Sequence, residues 1–330
     1  MDRFVLFRLP TVALSEVMKM FPLFDLILLS LCSKKTQKQI KAIRVRREDL
    51  RIIVEYHKRT FVQIENKPTN ECVKLRATPF LMGMEHSVTI PMYFGKQGTE
   101  YYMDFFFNDK IEGLKLITEF ICSIFGKNVS DICLSSSLSP TDPQKIMEWV
   151  NRRQESVQTF TIDCDTTSDT VAEYLLDNVK NVNEVFVNLK LTRNFKPNFK
   201  FEGERFVLRK GQWFTLDNLI NMNCSELFVT GCQLTNTDMN RFMKHWMSKE
   251  FKFEEVHIGM EEMNLEVLFD EIPVIRRSND VRRFYGNIKG RPHFVVGGFD
   301  IIRNDGMTAT IVYKEMRSQP RTFWMIVWDN

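Results

Sequence analysis

The apolar positions of this chain change period three times. Between residues 9 and 44 they recur as on one face of a helix: Leu14 is followed by Val17, Met18 and Phe21 at i+3, i+4 and i+7. Pro10 stands ahead of that run, where a missing backbone N–H costs nothing. Leu26-Ile27-Leu28-Leu29 is apolar on every side, so the helix containing it must be covered all round. A polar helix begins at Ser33. Between 50 and 107 the pattern becomes that of strands, with candidates at 50–56, 60–65, 71–76, 87–93 and 100–107, rich in Val, Ile, Tyr and Phe and separated by Asn, Pro and Gly clusters. Links this short favour antiparallel pairing. Residues 111–125 form an amphipathic helix, and Gly126 suits its C-cap.

A third pattern follows. Short strand cores of the form apolar-x-apolar recur at Ile132-Cys133-Leu134, Phe160-Thr161-Ile162, Val185-Phe186-Val187, Leu227-Phe228-Val229 and Val256-His257-Ile258. Helix-like stretches lie between them, at 143–151, 170–179 and 238–246. One strand and one helix every 20–29 residues is the period of a leucine-rich-repeat-like solenoid. One step is longer, and residues 194–211 within it read as an insertion. Near the C-terminus, Asn304-Asp305-Gly306 separates two alternating apolar runs, which predicts a hairpin because glycine takes a positive φ cheaply; residues 323–328 make a final strand. The fold expected is therefore α+β / α/β. It has N-terminal helices over 3–45, a β-rich connecting segment over 46–110, and an irregular leucine-rich-repeat-like αβ solenoid with C-terminal β-hairpin strands over 111–330.

Two surfaces are candidates for function. Residues 9–44 are too few to bury a two-sided apolar helix set among themselves. Leu14, Val17 and Phe21 can face inward, which leaves Leu9, Leu26, Ile27 and Leu31 for an external partner or for the strand region that follows. In the repeat region the middle residue of each strand core points away from the core, which puts Cys133, Thr161, Phe186, Phe228 and His257 on one surface, with Thr230 at the next outward position. Phe186 and Phe228 in that polar setting have the composition of an interaction hot spot, unless residues 194–211 or the C-terminal strands cover them. Thr161, Phe186, Phe228, Thr230 and His257 are the residues expected to touch a target. Met239, Phe242, Met243 and Trp246 share a helical face, so Trp246 reads as core, while Asn240 and Arg241 belong at the helix surface or a cap.

Composition narrows the function classes. A net charge of +3 over 330 residues argues against a dedicated nucleic-acid binder, and the basic run between Lys34 and Arg59 reads as a solvated helix face. Seven cysteines without a CxxC pair suit buried, reduced thiols in the cytoplasm or nucleus better than a disulfide framework. No signal-peptide pattern or membrane-spanning apolar run is read. The five histidines are scattered, no catalytic motif or metal-ligand spacing is found, and no catalytic residue, metal, cofactor or small-molecule substrate is expected.

The run FRLPTVALSEVMKMFPLFDLILLSLCSKKTQKQI resembles the F-box variant common in nematode proteins, on Leu9-Pro10, Leu14, Val17, Phe21, Asp25-Leu26, Leu31 and Ser33-Lys34. Thr36 departs from the Trp that many F-boxes carry just after the Ser-Lys step. The stretch from Thr215 to Met260 is similar to the F-box-associated type 2 domain of the same proteins, on Leu216-Asp217-Asn218-Leu219, Asn240-Arg241-Phe242, Lys244-His245-Trp246 and Glu255-Val256-His257-Ile258. Downstream, GGFDIIRNDGMTATI also looks like that family. The resemblance implies three short helices that dock on a Skp-family adaptor, itself attached to a cullin, with Leu9, Pro10, Leu26, Ile27 and Leu31 carrying the contact. It also implies a non-catalytic substrate receptor for ubiquitination. A repeat-type interaction protein whose N-terminal helices merely cap the fold is the alternative.

Overall fold

The computed structural model describes residues 6–43, 49–79, 92–97, 100–135, 141–164, 168–179, 181–192, 194–286, 292–314 and 322–328. The chain divides into two units, Met1–Thr161 and Ile162–Asn330.

In the first unit a 3-10 turn, Leu6–Arg8, leads into α1 (Thr11–Met20), α2 (Leu23–Cys32) and α3 (Lys34–Ile43). Two prolines punctuate them. Pro10 and Pro22 sit in extended backbone just ahead of α1 and α2, and their carbonyls accept from Leu14 N at 2.9 Å and Leu26 N at 3.1 Å. Proline disfavours helical backbone in the residue before it, so α1 ends at Phe21. Ser33 starts α3, its Oγ accepting from Thr36 N at 3.1 Å. Leu14, Met18, Leu26 and Ile40 meet in one buried cluster with Ile124 of α4 (Lys110–Phe125). Asp109 caps α4 by accepting from Ile111 N and Glu112 N, and Gly126 closes it at φ +62°, as the sequence leads one to expect.

The strands of this unit are β1 (Leu50–Tyr56), β2 (Phe61–Asn66), β3 (Glu71–Pro79), β4 (Met92–Gln97), β5 (Glu100–Phe107) and β6 (Asp131–Leu134). Buried and half-buried positions alternate along β1, as a sheet covered on one face requires. The order is β4-β5-β3-β2-β1-β6. Antiparallel pairing holds for β1–β2, β2–β3 and β4–β5, but β3–β5 and β1–β6 are parallel. The expectation of antiparallel neighbours between 50 and 107 is corrected at β3–β5, where β5 turns back from β4 and inserts beside β3. Of the predicted strand 87–93, residues 87–91 lie outside the described residues. Helix α5 (Asp142–Arg153) follows, and β7 (Val157–Cys164) carries the chain into the second unit.

The second unit contains α6 (Asp169–Asp177), β8 (Val182–Leu189), β9 (Arg205–Arg209), α7 (Leu216–Ile220), β10 (Glu226–Val229), α8 (Asn236–Ser248), β11 (Glu255–Gly259), α9 (Leu265–Leu268) and β12 to β15 (Ile275–Gly286, Pro292–Ile302, Thr308–Lys314, Thr322–Trp328). Strands β8, β9, β10 and β11 are consecutive, parallel neighbours. Val185, Phe206, Leu227 and Val256 lie opposite one another across them and are all fully buried. The segment 194–211 is therefore no insertion: it supplies β9, a full member of the parallel run. Phe195, Phe199 and Phe201 from the same segment are buried, and Asn218 holds it from α7 by donating to the Pro197 carbonyl at 2.8 Å.

Helix α8 opens with a capping box between Thr235 and Asp238 and buries Met239, Phe242, Met243 and Trp246, so Trp246 is core as read from the sequence. Asn240 is a correction. It is buried, and its Nδ2 donates to the carbonyls of Leu268 and Asp270 at 3.0 and 2.8 Å, which pins the corner after α9. The C-terminal strands pair antiparallel in the order β12-β13-β14-β15, with β15 against β11. Gly306 turns the expected hairpin at φ +92°.

Asp300 on β13 is 1% exposed, and it accepts from Arg277 Nε at 2.6 Å, Arg283 Nη2 at 2.9 Å and Thr310 Oγ1 at 2.6 Å. Burial pushes its pKa up, but Thr310 and the two guanidinium groups outweigh burial and hold it below the ordinary carboxylate value. A depressed folded pKa means the stabilisation is present above the unfolded value of about 3.9 and disappears as pH falls through the folded one. Asp300→Asn is expected to cost about 3 kcal/mol in urea denaturation at pH 7. The gap between variant and wild type should narrow as the pH is lowered below about 4.

Candidate functional site

The outer surface of the N-terminal helices is built from what the internal cluster leaves behind. Leu9 is half-buried and packs against that cluster, Pro10 is exposed, and Leu31 is half-buried. Leu26 and Ile27 are completely buried, which corrects their assignment to an external contact. The chain covers helix α2 on more than one side, burying Leu23, Phe24, Leu26 and Ile27, while Leu28, Leu29 and Leu31 stay half-buried. One side meets the helix cluster. On another, Phe24 stacks on Tyr101 of β5 with centroids 4.6 Å apart, and the Leu23 N–H donates to Glu71 of β3. The large apolar side chains that α1 leaves in solvent are Val12 and Met20, 77% and 83% exposed. Thr36 is buried and bonds Ser33 through its hydroxyl, so the place of the missing Trp is taken by a capping contact. Lys34, Lys35, Lys38 and Lys41 are exposed on α3, as a solvated face requires.

In the second unit the register of β8–β11 turns the middle residues of the strand cores outward together. Phe228 and His257 stand opposite each other in the ladder, and their rings stack at 4.4 Å and 14°. His257 stacks in turn on Trp324 of β15 at 5.2 Å. On the other side, the Arg205 guanidinium of β9 lies 5.0 Å from the Phe228 ring centre and 5.8 Å from that of Phe186. The result is a strip of five flat groups, one from each of β8, β9, β10, β11 and β15. Cation–π and aromatic pairs of this kind are worth about 0.5–1.5 kcal/mol each.

Two buried carboxylates flank the strip, two residues before Phe228 and His257 on the same strands. Glu226 pairs with Arg205 at 3.2 Å. Glu255 Oε1 is 2.6 Å from His257 Nε2 and accepts from Trp324 Nε1 at 3.0 Å. Both Glu are 3% exposed, so each serves to orient a ring or a guanidinium and offers no accessible charge of its own.

Of the residues assigned to a target surface, the structure brings Phe186, Phe228 and His257 together and leaves all three half-buried. Thr230 is exposed beside β10, and Thr161 is half-buried on β7 at the last position of the first unit. Cover for the phenylalanines is partial and comes from both suggested sources, Arg205 from 194–211 and Trp324 by way of His257. Arg205, Trp324, Glu226 and Glu255 are absent from the sequence-based set. The core Phe206-Val207-Leu208 carries the same apolar-x-apolar signature as its neighbours, so β9 and with it Arg205 were within reach of the pattern.

Residues 6–48 match the family model for the F-box domain, and residues 187–265 match the one described as F-box associated. The chain carries an F-box followed by an F-box-associated domain. Among curated proteins it is similar to an uncharacterized protein of Caenorhabditis elegans, 22% identical over 144 residues, which is 42% of this chain and 34% of that relative. The chain thus spans about a third of the length of the relative it matches. The F-box corresponds to the Leu6–Arg8 turn and α1 to α3, and the F-box-associated match runs from the end of β8 to α9, taking in the strip positions Arg205, Phe228 and His257. Its most distinctive polar residues, Asn218 and Asn240, are internal brackets rather than surface chemistry.

Among the described residues no helix is long and apolar enough to cross a membrane, and no group of three His, Cys, Asp or Glu could hold a metal ion. All seven thiols are free. Burial pushes Cys122 up to about 11 and Cys224 up to about 12, which keeps both protonated and unreactive near neutral pH. Cys32 is exposed. Treatment of the folded protein with iodoacetamide at pH 8, followed by mass spectrometry, should therefore modify Cys32 first and spare Cys122 and Cys224 until denaturant is added.

Proposed function

We propose that this chain is the substrate-recognition subunit of a Skp–cullin–F-box ubiquitin ligase. The F-box would bind a Skp-family adaptor, and through it a cullin, while the strip on the F-box-associated domain would hold a target protein for ubiquitination. The observation that carries this reading is the pairing, in one chain, of an F-box that leaves Pro10, Val12 and Met20 in solvent with a separate row of stacked groups on the F-box-associated domain. A receptor of this kind is non-catalytic: it works by proximity, raising the effective concentration of a target beside the conjugating enzyme. Such a role places the protein in the cytoplasm or nucleus. The consecutive parallel strands β8 to β11, joined through α7 and α8, support a leucine-rich-repeat-like reading of the target-binding region. Leu9, Pro10 and Leu31 remain the proposed adaptor contacts, and Thr161, Phe186, Phe228, Thr230 and His257 the proposed target contacts.

One observation favours the rival, an interaction module outside any ligase. The burial of Leu26 and Ile27 and the Phe24–Tyr101 stack show helices that also serve as a cap on the β1–β6 sheet. Co-purification with a Skp-family adaptor separates the two. The ligase reading expects stoichiometric capture, weakened about tenfold or more by Leu9→Ala combined with Pro10→Ala, with the thermal midpoint little changed. Leu26→Ala should act differently, costing about 2–5 kcal/mol of stability by opening a cavity. Equal capture of wild type and the Leu9/Pro10 pair, or capture of neither, favours the rival. For the target surface, Phe186→Ser with Phe228→Ser is expected to abolish target capture in a proximity-labelling comparison while adaptor binding stays intact; unchanged capture removes the strip from consideration.

A further inference from the structure

The apolar surface of α2 runs past the F-box helices and onto the sheet of the first unit. Phe24, Leu28 and Leu31 stand at i, i+4 and i+7, so they share one side of α2 and form a ridge about 10 Å long. Phe24 is buried, while Leu28 and Leu31 are half-buried. At the Phe24 end the ridge meets β4, an edge strand. There the Phe94 ring lies 6.2 Å from that of Phe24, tilted by 58°, and Phe94 is 52% exposed. A lone exposed phenylalanine is ordinary. This one extends a row of apolar side chains that begins at Leu31, a proposed adaptor contact.

Charge narrows what can cover that row. Lys96 follows Phe94 on the same side of β4; it is exposed, and its ammonium lies 5.0 Å from the Tyr101 ring centre. At the other end of the ridge Lys34 and Lys35 open α3, both exposed. None of the three lysines has a carboxylate partner among the described residues. The acid on α2 is Asp25, half-buried beside Phe24. An apolar row with positive ends fits a partner surface that is apolar in the middle and acidic at its rim. A second copy of this chain would set lysines against lysines, a like-charge contact that costs free energy.

We propose, resting on the reading of this chain as a ligase subunit, that the adaptor-binding surface extends beyond the F-box onto β4, with Phe94 and Lys96 as further contacts. The occupant is the adaptor itself, because a body that covers Leu31 and Leu28 meets Phe94 at the end of the same ridge. Phe94 is then buried between Phe24 and the adaptor, and Lys96 faces an acidic side chain at the adaptor's rim. Phe94 already rests on Phe24, and Lys96 on Tyr101, so little side-chain freedom is lost when the adaptor arrives.

Biolayer interferometry of the full chain against an immobilised Skp-family adaptor tests it. Phe94→Ala should weaken binding about fivefold or more, the loss that truncating an interface aromatic brings. Phe94→Leu should recover most of that loss, and Lys96→Glu should weaken binding most at low salt. Leu116→Ala removes another exposed apolar side chain, from α4, and should bind as wild type does. Thermal midpoints accompany each variant; if Phe94→Ala lowers its own, Lys96→Glu decides alone. Equal binding of wild type, Phe94→Ala and Lys96→Glu, or equal weakening in Leu116→Ala, overturns the extension and leaves the ligase reading standing. Absence of adaptor binding by wild type overturns both. Light scattering of the chain alone addresses the other occupant: a dimer that Phe94→Ala dissociates, with adaptor binding unchanged, overturns the extension and assigns Phe94 to a second copy.

Discussion

Parallel hydrogen bonding from β8 through β11 holds Val185, Phe206, Leu227 and Val256 opposite one another, and the second unit is organised by that alignment. Strand side chains alternate with a period of two, so once one row is committed to the core the next row must face the other way. Phe186, Val207, Phe228 and His257 are that next row. A slip of one residue in β9 or β10 would turn Arg205 or Glu226 toward the apolar core and part the two from each other. The cost of such an exchange, several kcal/mol for each unpaired buried charge, is what keeps the register single. The strip is thus a by-product of core packing, and its spacing is that of neighbouring strands.

Beside the strip each buried carboxylate has a partner. Glu226 is matched by Arg205, and Glu255 by His257 and Trp324. Buried carboxylates left alone would be expensive; each here has a donor that also belongs to the strip. The same logic recurs at Asp300, where Arg277, Arg283 and Thr310 converge on one carboxylate and bind β12, β13 and β14 together. The Arg283 side chain then covers Trp328 at 4.7 Å, and Trp328 donates to Thr310. In this unit charge is used to hold aromatic groups in place.

What could be read from the sequence follows from how local each determinant is. The bounds of β1 and β5 and the C-cap at Gly126 are legible because alternation and a positive-φ glycine are properties of a few adjacent residues. The parallel pairing of β3 with β5 is not, since it depends on β5 returning from β4 into the gap, a choice made by partners far along the chain. Leu26 and Ile27 show the same limit. Their apolar surroundings announce that α2 must be covered but do not say that Ile124 and the residues around Tyr101 do the covering. The strip was half legible. Phe186, Phe228 and His257 follow from the repeated strand core, whereas Arg205 was hidden by a segment whose three buried phenylalanines disguise its strand, and Trp324 reaches β11 only through antiparallel pairing of the last strand.

The stack of Phe24 on Tyr101 changes what kind of attachment the F-box offers. A domain on a flexible linker lets its partner swing, and the volume it sweeps dilutes whatever is held at the other end. Here α2 is bolted to β5 through an aromatic pair and to β3 through Glu71. The three helices and the sheet β1–β6 therefore share one set of rotational coordinates. Whatever grips α1 also sets the bearing of that sheet, so the F-box of this chain acts as a mount with a fixed angle, without the slack of a tether.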